Sequence, residues 1–207
     1  MEIFATKSEI YSMFTGIIEN TGIIKEIINQ GTNISFWVES ALAPELKIDQ
    51  SLSHNGICLT VEEIKNSMHR VTAIEETILK TNVGNWENDT IINLERCMQL
   101  NGRLDGHIVQ GHVDCTATCI EVVEKAGSWE YTFAFAEEFA AFIIEKGSVT
   151  INGISLTCFN VTHNSFTVAI IPYTFEHTNM SSLKKGDLVN IEWDVIGKYV
   201  SRMMKNR

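Results

Sequence analysis

At 207 residues, 44% hydrophobic and 20% charged, the chain has the size and make-up of one large or two modest globular domains, outside the disordered and collagen-like classes. Sixteen Lys and Arg against 26 Asp and Glu leave a formal charge of −10, a field that repels phosphate backbones, so no nucleic-acid partner is expected. No run of about 18 apolar residues occurs, which excludes a membrane-spanning helix, and the opening MEIFATKSEIYS lacks the basic-then-apolar pattern of a secretory leader, so a cytoplasmic protein is expected.

In chain order, short β-branched or alternating runs predict strands over Ile23–Ile28, Asn33–Val38, Ser67–Ala73 and Thr90–Glu95, with a short helix at Ala43–Lys47. Asn101-Gly102-Arg103 supplies turn chemistry near Leu100–Asp105. Strands follow over Ala117–Val123, Glu130–Ala134, Ser148–Ile151, Ser165–Ile170 and Leu188–Trp193, with a clearer short helix over Ala136–Glu145. Turn pairs separate these runs, among them Gln30-Gly31, Asn55-Gly56, Gly127-Ser128, Asn152-Gly153 and Gly186-Asp187. The tail Val195–Lys205 places Ile196, Tyr199, Val200, Met203 and Met204 on one helical face, which fits packing on its own barrel or a helix–helix oligomer contact.

The order of these elements is written twice. At an offset of 97, Asn55-Gly-Ile-Cys-Leu-Thr60 lies on Asn152-Gly-Ile-Ser-Leu-Thr157, and Val71, Ile74, Thr77, Thr81-Asn82 and Asn93 lie on Val168, Ile171, Thr174, Thr178-Asn179 and Asn190. At an offset of 95, Gly16 meets Gly111 and Thr21 meets Thr116. Each copy of about 95 residues is the size of a small domain, too long for a solenoid unit. Six or so short strands with one helix in about 90 residues point to a small closed barrel, which removes exposed sheet edges.

Five cysteines, an odd number, read as reduced thiols. Cys115 and Cys119 beside His112 lack the second pair that would complete a zinc site, so they are expected to be packing thiols, with no metal bound. Strand alternation puts Cys58 with Thr60, and Ser155 with Thr157, on one face, expected to point inward. Such groups can simply satisfy backbone near a turn. Their presence in both copies, where much of the intervening sequence differs, favours ligand binding. His107 and His112 fall on opposite faces of an extended segment, which argues against a shared metal, and His112 follows Gly111, where backbone can approach a planar ligand closely. Lys146 and Asp194 distinguish the copies chemically; Asp194 stands where the first copy has Cys97.

Met13-Phe-Thr-Gly-Ile-Ile-Glu19, His54-Asn-Gly-Ile-Cys-Leu-Thr60, Gly106-His with Gly111-His-Val-Asp114, Asn152-Gly-Ile-Ser-Leu-Thr157 and Asn190-Ile-Glu-Trp-Asp194 together resemble the riboflavin synthase family, in order and spacing, over nearly the whole chain. The resemblance implies a mainly β fold: two tandem six-stranded Greek-key β-barrels, at 13–103 and 104–194, and a C-terminal oligomerisation helix at 195–207 of a homotrimer. It implies conversion of two molecules of 6,7-dimethyl-8-ribityllumazine into riboflavin and 5-amino-6-ribitylaminouracil, with no metal or organic cofactor, and allows an association with lumazine synthase. In that family the N-terminal barrel of one subunit faces the C-terminal barrel of its neighbour.

The resemblance carries one lumazine to Gly16, Ile17, Ile18, Cys58, Leu59, Thr60, Thr72, Ala73, Ile74, Glu75, Glu76 and Thr77. It carries the other to Gly111, His112, Val113, Lys146, Ser155, Leu156, Thr157, Ile171, Pro172, Tyr173, Thr174, Phe175 and Glu176. Phe14, Cys58, His112, Ser155, Thr157 and Asp194 match positions linked to catalysis, with His112 expected to move a proton. Family members begin at the Met-Phe-Thr-Gly segment, so residues 1–12 are expected to be an N-terminal extension that either limits Phe14 or precedes a true start at Met13. The alternative reading is a non-catalytic lumazine- or flavin-binding protein on the same frame, which would be expected to lack the Cys58 thiol.

Overall fold

The computed structural model of the chain describes residues 13–99 and 101–205; the expectation for residues 1–12 lies outside them. The first barrel is built from β1 (Asn20–Gln30), β2 (Asn33–Ser40), β3 (Ser51–His54), β4 (Ile57–Thr60), β5 (Glu63–Lys65), β6 (Met68–Ala73) and β7 (Ile91–Arg96). The second uses β8 (Cys115–Lys125), β9 (Ser128–Ala134), β10 (Ser148–Ile151), β11 (Ile154–Phe159), β12 (Ser165–Ile170) and β13 (Leu188–Trp193). It closes in the order β10-β11-β12-β9-β8-β13, with every described pair antiparallel.

The first copy has the same order, with one strand interrupted. Its sheet runs β4-β3-β7-β1-β2-β6-β5, and its two end strands are consecutive in the chain. At the 97-residue offset β4 falls on the start of β11, the break at Val61 and Glu62 on its last two residues, and β5 just past its end. At the break, the Val61 and Glu62 amides donate to the Gln50 and Arg70 carbonyls, both at 2.9 Å, so backbone groups stay satisfied although the ladder is lost. In each barrel the long first strand carries a bulge, between Ile24 and Glu26 and between Cys119 and Glu121. That bend lets one strand serve two neighbours around a closed curve.

The 95-residue offset holds through β2 and β9, and the 97-residue offset from β3 and β10 onward. The two extra residues fall between, where helices were expected at Ala43–Lys47 and Ala136–Glu145. Both are tight 3₁₀ turns instead, at Ala43–Glu45 and Glu137–Phe142. Pro44 fits only the start of such a turn, and Phe139 and Phe142, three residues apart, reach the second core together, as three residues per turn allow. The true α-helices of the repeat are α1 (Glu75–Lys80) and α2 (Pro172–His177), each too short to show an amphipathic period. Each is docked by one side chain. Ile78 packs on the first core, and Phe175 stacks on Trp129 with ring centroids 3.7 Å apart. α3 (Val195–Lys205) is helical as expected. No helix among the described residues is long and apolar enough to cross a membrane.

Each barrel holds its own core. Phe133, Phe166 and Trp193 dominate the second. The first is aliphatic around Phe36, and places His54 and His69 where the second has Ile151 and Phe166. His54 Nδ1 donates to the Leu52 carbonyl at 3.0 Å, so its Nε2 accepts from His69 Nε2 at 2.8 Å and both rings are neutral. Burial pushes both below the ordinary imidazole value, His69 to about 4. The unfolded chain therefore binds more protons than the folded one between pH 6.5 and 4, and this stability is complete above 6.5 and lost as pH falls. Glu95 and Glu192, raised by burial, act in the opposite sense. Comparison with His54→Ile/His69→Phe isolates the contribution of the two imidazoles: the stability gap between the two proteins is expected to shift in the variant's favour by about 5 kcal/mol between pH 7 and 4.5 in urea titrations. A gap independent of pH would contradict a neutral pair.

The two barrels meet about an approximate two-fold axis at the repeated Asn-Gly turns. A Cβ on Gly56 would lie 2.8 Å from the Gly153 nitrogen, and the converse holds equally, so only glycine allows this contact. Around it, Asn93 Nδ2 donates to the Asn152 carbonyl at 2.9 Å, and Asn190 Nδ2 to the Asn55 carbonyl at 3.0 Å. Their side-chain oxygens accept from the Asn179 and Asn82 amides, both at 2.8 Å. The recurring asparagines are the joint between the copies.

Candidate functional site

The repeated strand presents its polar groups outward, not inward as expected. Ile57 and Leu59 occupy the first core and Ile154 the second, so alternation turns Cys58 with Thr60, and Ser155 with Thr157, to the barrel exterior. There they meet two loops that have crossed between the copies. Phe14, fully buried, pairs with Val109, its amide donating to the Val109 carbonyl at 2.7 Å and its carbonyl accepting from the Val109 amide at 3.1 Å. The crossing carries the Thr15–Ile18 loop onto the second barrel and the Gln110–Val113 loop onto the first.

The Ser155 amide donates to the Gly16 carbonyl at 2.8 Å, and the Cys58 amide to the Gly111 carbonyl at 2.9 Å. Both glycines have positive φ, +77° and +78°, and a Cβ on either would lie 2.6 Å from the Cβ of the facing Ser155 or Cys58. Ile18 packs on the second core and Val113 on the first. The grouping expected from sequence is thereby exchanged. Gly16–Ile18 belongs with Ser155, and Gly111–Val113 with Cys58.

Each loop is held from below by a buried glutamate of its own copy. Glu95 accepts from the Thr15 and Gly16 amides at 2.7 and 3.0 Å; Glu192 accepts from Gln110, Gly111 and His112 at 2.7, 2.9 and 2.9 Å. Burial pushes the Glu192 carboxyl up to about 7, against the amides that favour its charged form, and raises Glu95 likewise. The sequence signal was present, since these residues align at the 97-residue offset, but an isolated acidic residue in a strand does not announce what it holds.

At the second-barrel site, His107 Nδ1 and Ser155 Oγ share a hydrogen bond of 2.7 Å, and His107 Nε2 lies 3.1 Å from Thr150 Oγ1. Burial lowers the His107 pKa, partly opposed by the charge of Asp194, which keeps the imidazole neutral and able to accept from one hydroxyl while donating to the other. His112, the residue expected to move a proton, has an exposed side chain and is held through its amide. It is His107 that contacts the repeated hydroxyl.

Asp194 accepts from the Ile196 amide at 2.9 Å and lines a cavity of about 570 Å³ with Gly147, Ser148, Phe142, Val200 and Met204. That volume lies within the ordinary range for small-molecule sites. Ser148 is the register partner of Thr157, so this cavity borders the repeated strand. Lys146, exposed with φ +62°, sets its Nζ 5.2 Å from the centre of the Phe159 ring.

The remaining candidates lie on the strand end and short helix beside each site. Thr72 and buried Ala73 end β6, Ile74 precedes α1, and Glu75, Glu76 and Thr77 form its first turn. Thr72 Oγ1 donates to Glu62 at 2.9 Å. Ile171 and Pro172, Tyr173, Thr174, Phe175 and Glu176 repeat that arrangement on the second barrel, with Leu156 half-buried against its core. Ile17, Ile74, Ile171 and Tyr173 stay exposed, an apolar surface beside the polar strands. Away from the sites, burial raises Cys115 to about 12 and Cys119 to about 11, consistent with packing thiols.

Comparison with known proteins adds to this geometry. A family model described as the lumazine binding domain matches residues 15–97 and again 110–194. The chain is 38% identical over 193 residues to a riboflavin synthase of Actinobacillus pleuropneumoniae, spanning 93% of this chain and 90% of that protein. It is 37% identical, with the same coverage, to a riboflavin synthase of Bacillus subtilis. Among solved structures, LumP complexed with 6,7-dimethyl-8-(1'-D-ribityl) lumazine shares the fold, with a TM-score of 0.79 at 21% identity over 87% of this chain and 98% of that one.

Proposed function

The chain belongs to the riboflavin synthase family, and from that membership we propose that it catalyses the dismutation of 6,7-dimethyl-8-ribityllumazine. One molecule gives up a four-carbon unit to a second, yielding riboflavin and 5-amino-6-ribitylaminouracil. The observation that carries this reading is the doubled and crossed site: two equivalent loop–strand pairs, Gly16 on Ser155 and Gly111 on Cys58, suit a reaction whose two substrates are the same molecule. The C7 methyl of such a lumazine is acidic because its carbanion delocalises through the ring, so neutral imidazole and hydroxyl groups suffice. Much of the acceleration then comes from orienting two rings, an effect of ~7–11 kcal/mol in favourable intramolecular models.

In this scheme Cys58, Ser155 and Thr157 polarise ring atoms or orient a nucleophile. His107 takes up the Ser155 proton; the 2.7 Å hydrogen bond supports that role over one for exposed His112. The segments at 72–77 and 171–176 flank the rings, and Lys146 and Asp194 make the two sites unequal. The active unit is a cytoplasmic homotrimer of halves 13–103 and 104–194, joined through α3; the exposed Tyr199, Met203 and Met204 support that contact. Purified protein given the lumazine alone is expected to form one riboflavin per two substrates consumed. Tight binding without turnover would favour the non-catalytic alternative, against which the presence of Cys58, His107 and Ser155 speaks.

A further inference from the structure

Immediately after each site loop stands a carboxylate, Glu19 in the first copy and Asp114 in the second, equivalent at the 95-residue offset. Each accepts from the backbone amide that ends the last strand of its barrel: Arg96 to Glu19 at 2.8 Å, and Trp193 to Asp114 at 2.9 Å. Each also takes a cation. For Glu19 it is the side chain of that same Arg96, with Nε at 2.8 Å. The equivalent Trp193 is turned into the core and offers no charge. The cation on Asp114 is Lys198, from α3, with Nζ 2.9 and 3.1 Å from the two carboxylate oxygens. This pair is more buried than its counterpart, each side chain 21% exposed against 31% and 37%.

We propose that Lys198 is a positioning residue for the Gly111–Val113 loop, so that the C-terminal helix supports the pocket at Cys58 on the first barrel. The loop Lys198 steadies through Asp114 is the one that crosses onto the first barrel, with the Gly111 carbonyl on the Cys58 amide and Val113 against the first core. The helix thus acts on the pocket of the other barrel, while its own apolar face lines the cavity beside Ser148 and Asp194. The inference rests on the proposed lumazine chemistry for its ligand; the contact itself is independent of it.

The test is a titration of the full chain with 6,7-dimethyl-8-ribityllumazine, resolving two binding events per chain, alongside hydrogen exchange at the Gly111 and His112 amides. Lys198→Met is expected to weaken one binding event by about tenfold, the weight of one charge-assisted hydrogen bond, and to speed exchange at both amides. Lys198→Arg restores both readouts. Arg96→Met weakens the other event, and the double variant weakens both; Lys25→Met, on a distant surface pair, changes neither. The proposal is overturned if Lys198→Met leaves binding and exchange as in the parent, or weakens both events equally without rescue by arginine. If the parent chain binds no lumazine, the functional reading fails, and the exchange measurement alone decides the coupling.

Discussion

Replacing Ser155 with alanine is expected to lower the rate of riboflavin formation by ~100- to 10,000-fold, the range that one general acid–base contact supplies. Ser155 stands where three independent features converge: the Gly16 carbonyl on its amide, His107 at 2.7 Å from its hydroxyl, and Thr150 behind the imidazole. The hydroxyl and the ring form one unit, so His107→Ala costs a similar factor and the double variant costs little more than either alone. Binding of the lumazine, read by titration, should change by only a few-fold, which separates chemistry from affinity. The acid limb of the rate profile should lie below the ordinary imidazole value near 6.5, because burial keeps His107 neutral and activity falls as that ring takes up a proton. Ser155→Ala turning over within about threefold of the parent would remove the serine–histidine unit from the mechanism.

Asn93→Ala is expected to destabilise the chain by about 3–5 kcal/mol, among the larger effects open to a single substitution. The side chain is wholly buried, donates to the Asn152 carbonyl and to Asn179 Oδ1, both at 2.9 Å, and accepts from the Asn179 amide at 2.8 Å. Truncation leaves three polar groups of the second barrel buried without these partners, and desolvation makes that costlier than the bonds are worth when formed. Asn190→Ala breaks the mirror set, to Asn55 and Asn82. With both removed, the barrels should unfold in two resolved urea transitions, since each retains its own core. A loss below about 1 kcal/mol for Asn93→Ala would mean that the barrels are joined by something other than the asparagines.

These asparagines recur at the same offset as the repeated strand. The repeated Asn-Gly-Ile-Cys/Ser-Leu-Thr segment reads as a ligand-binding strand, and its Cys58 and Ser155 do meet the crossed loops. Its Asn-Gly is a joint: Gly56 and Gly153 abut, and Asn55 and Asn152 brace β7 and β13. Thr81-Asn82 and Thr178-Asn179 likewise cap a 3₁₀ turn and bridge to the other copy. Recurrence within one chain marks whatever both copies need, and two copies that pack on each other need the same joint twice.

From the sequence alone came the duplication, the strands, the terminal helix and the outline of each barrel. All of these follow from local pattern: alternation, turn chemistry and the offset between copies. The tertiary structure decided the partnerships. Gly16 reaches Ser155, and Gly111 reaches Cys58, because Phe14 and Val109 pair and carry each loop to the opposite barrel. His107, not His112, meets the serine because the loop's extended backbone turns one ring inward and the other out. Lys198 reaches Asp114 because tryptophan fills the place that arginine holds in the first copy. A repeat records which residues are equivalent, and leaves open whether equivalent residues contact their own copy or the other. That choice is made by packing across the two-fold axis, between side chains too far apart in sequence for any local period to link them.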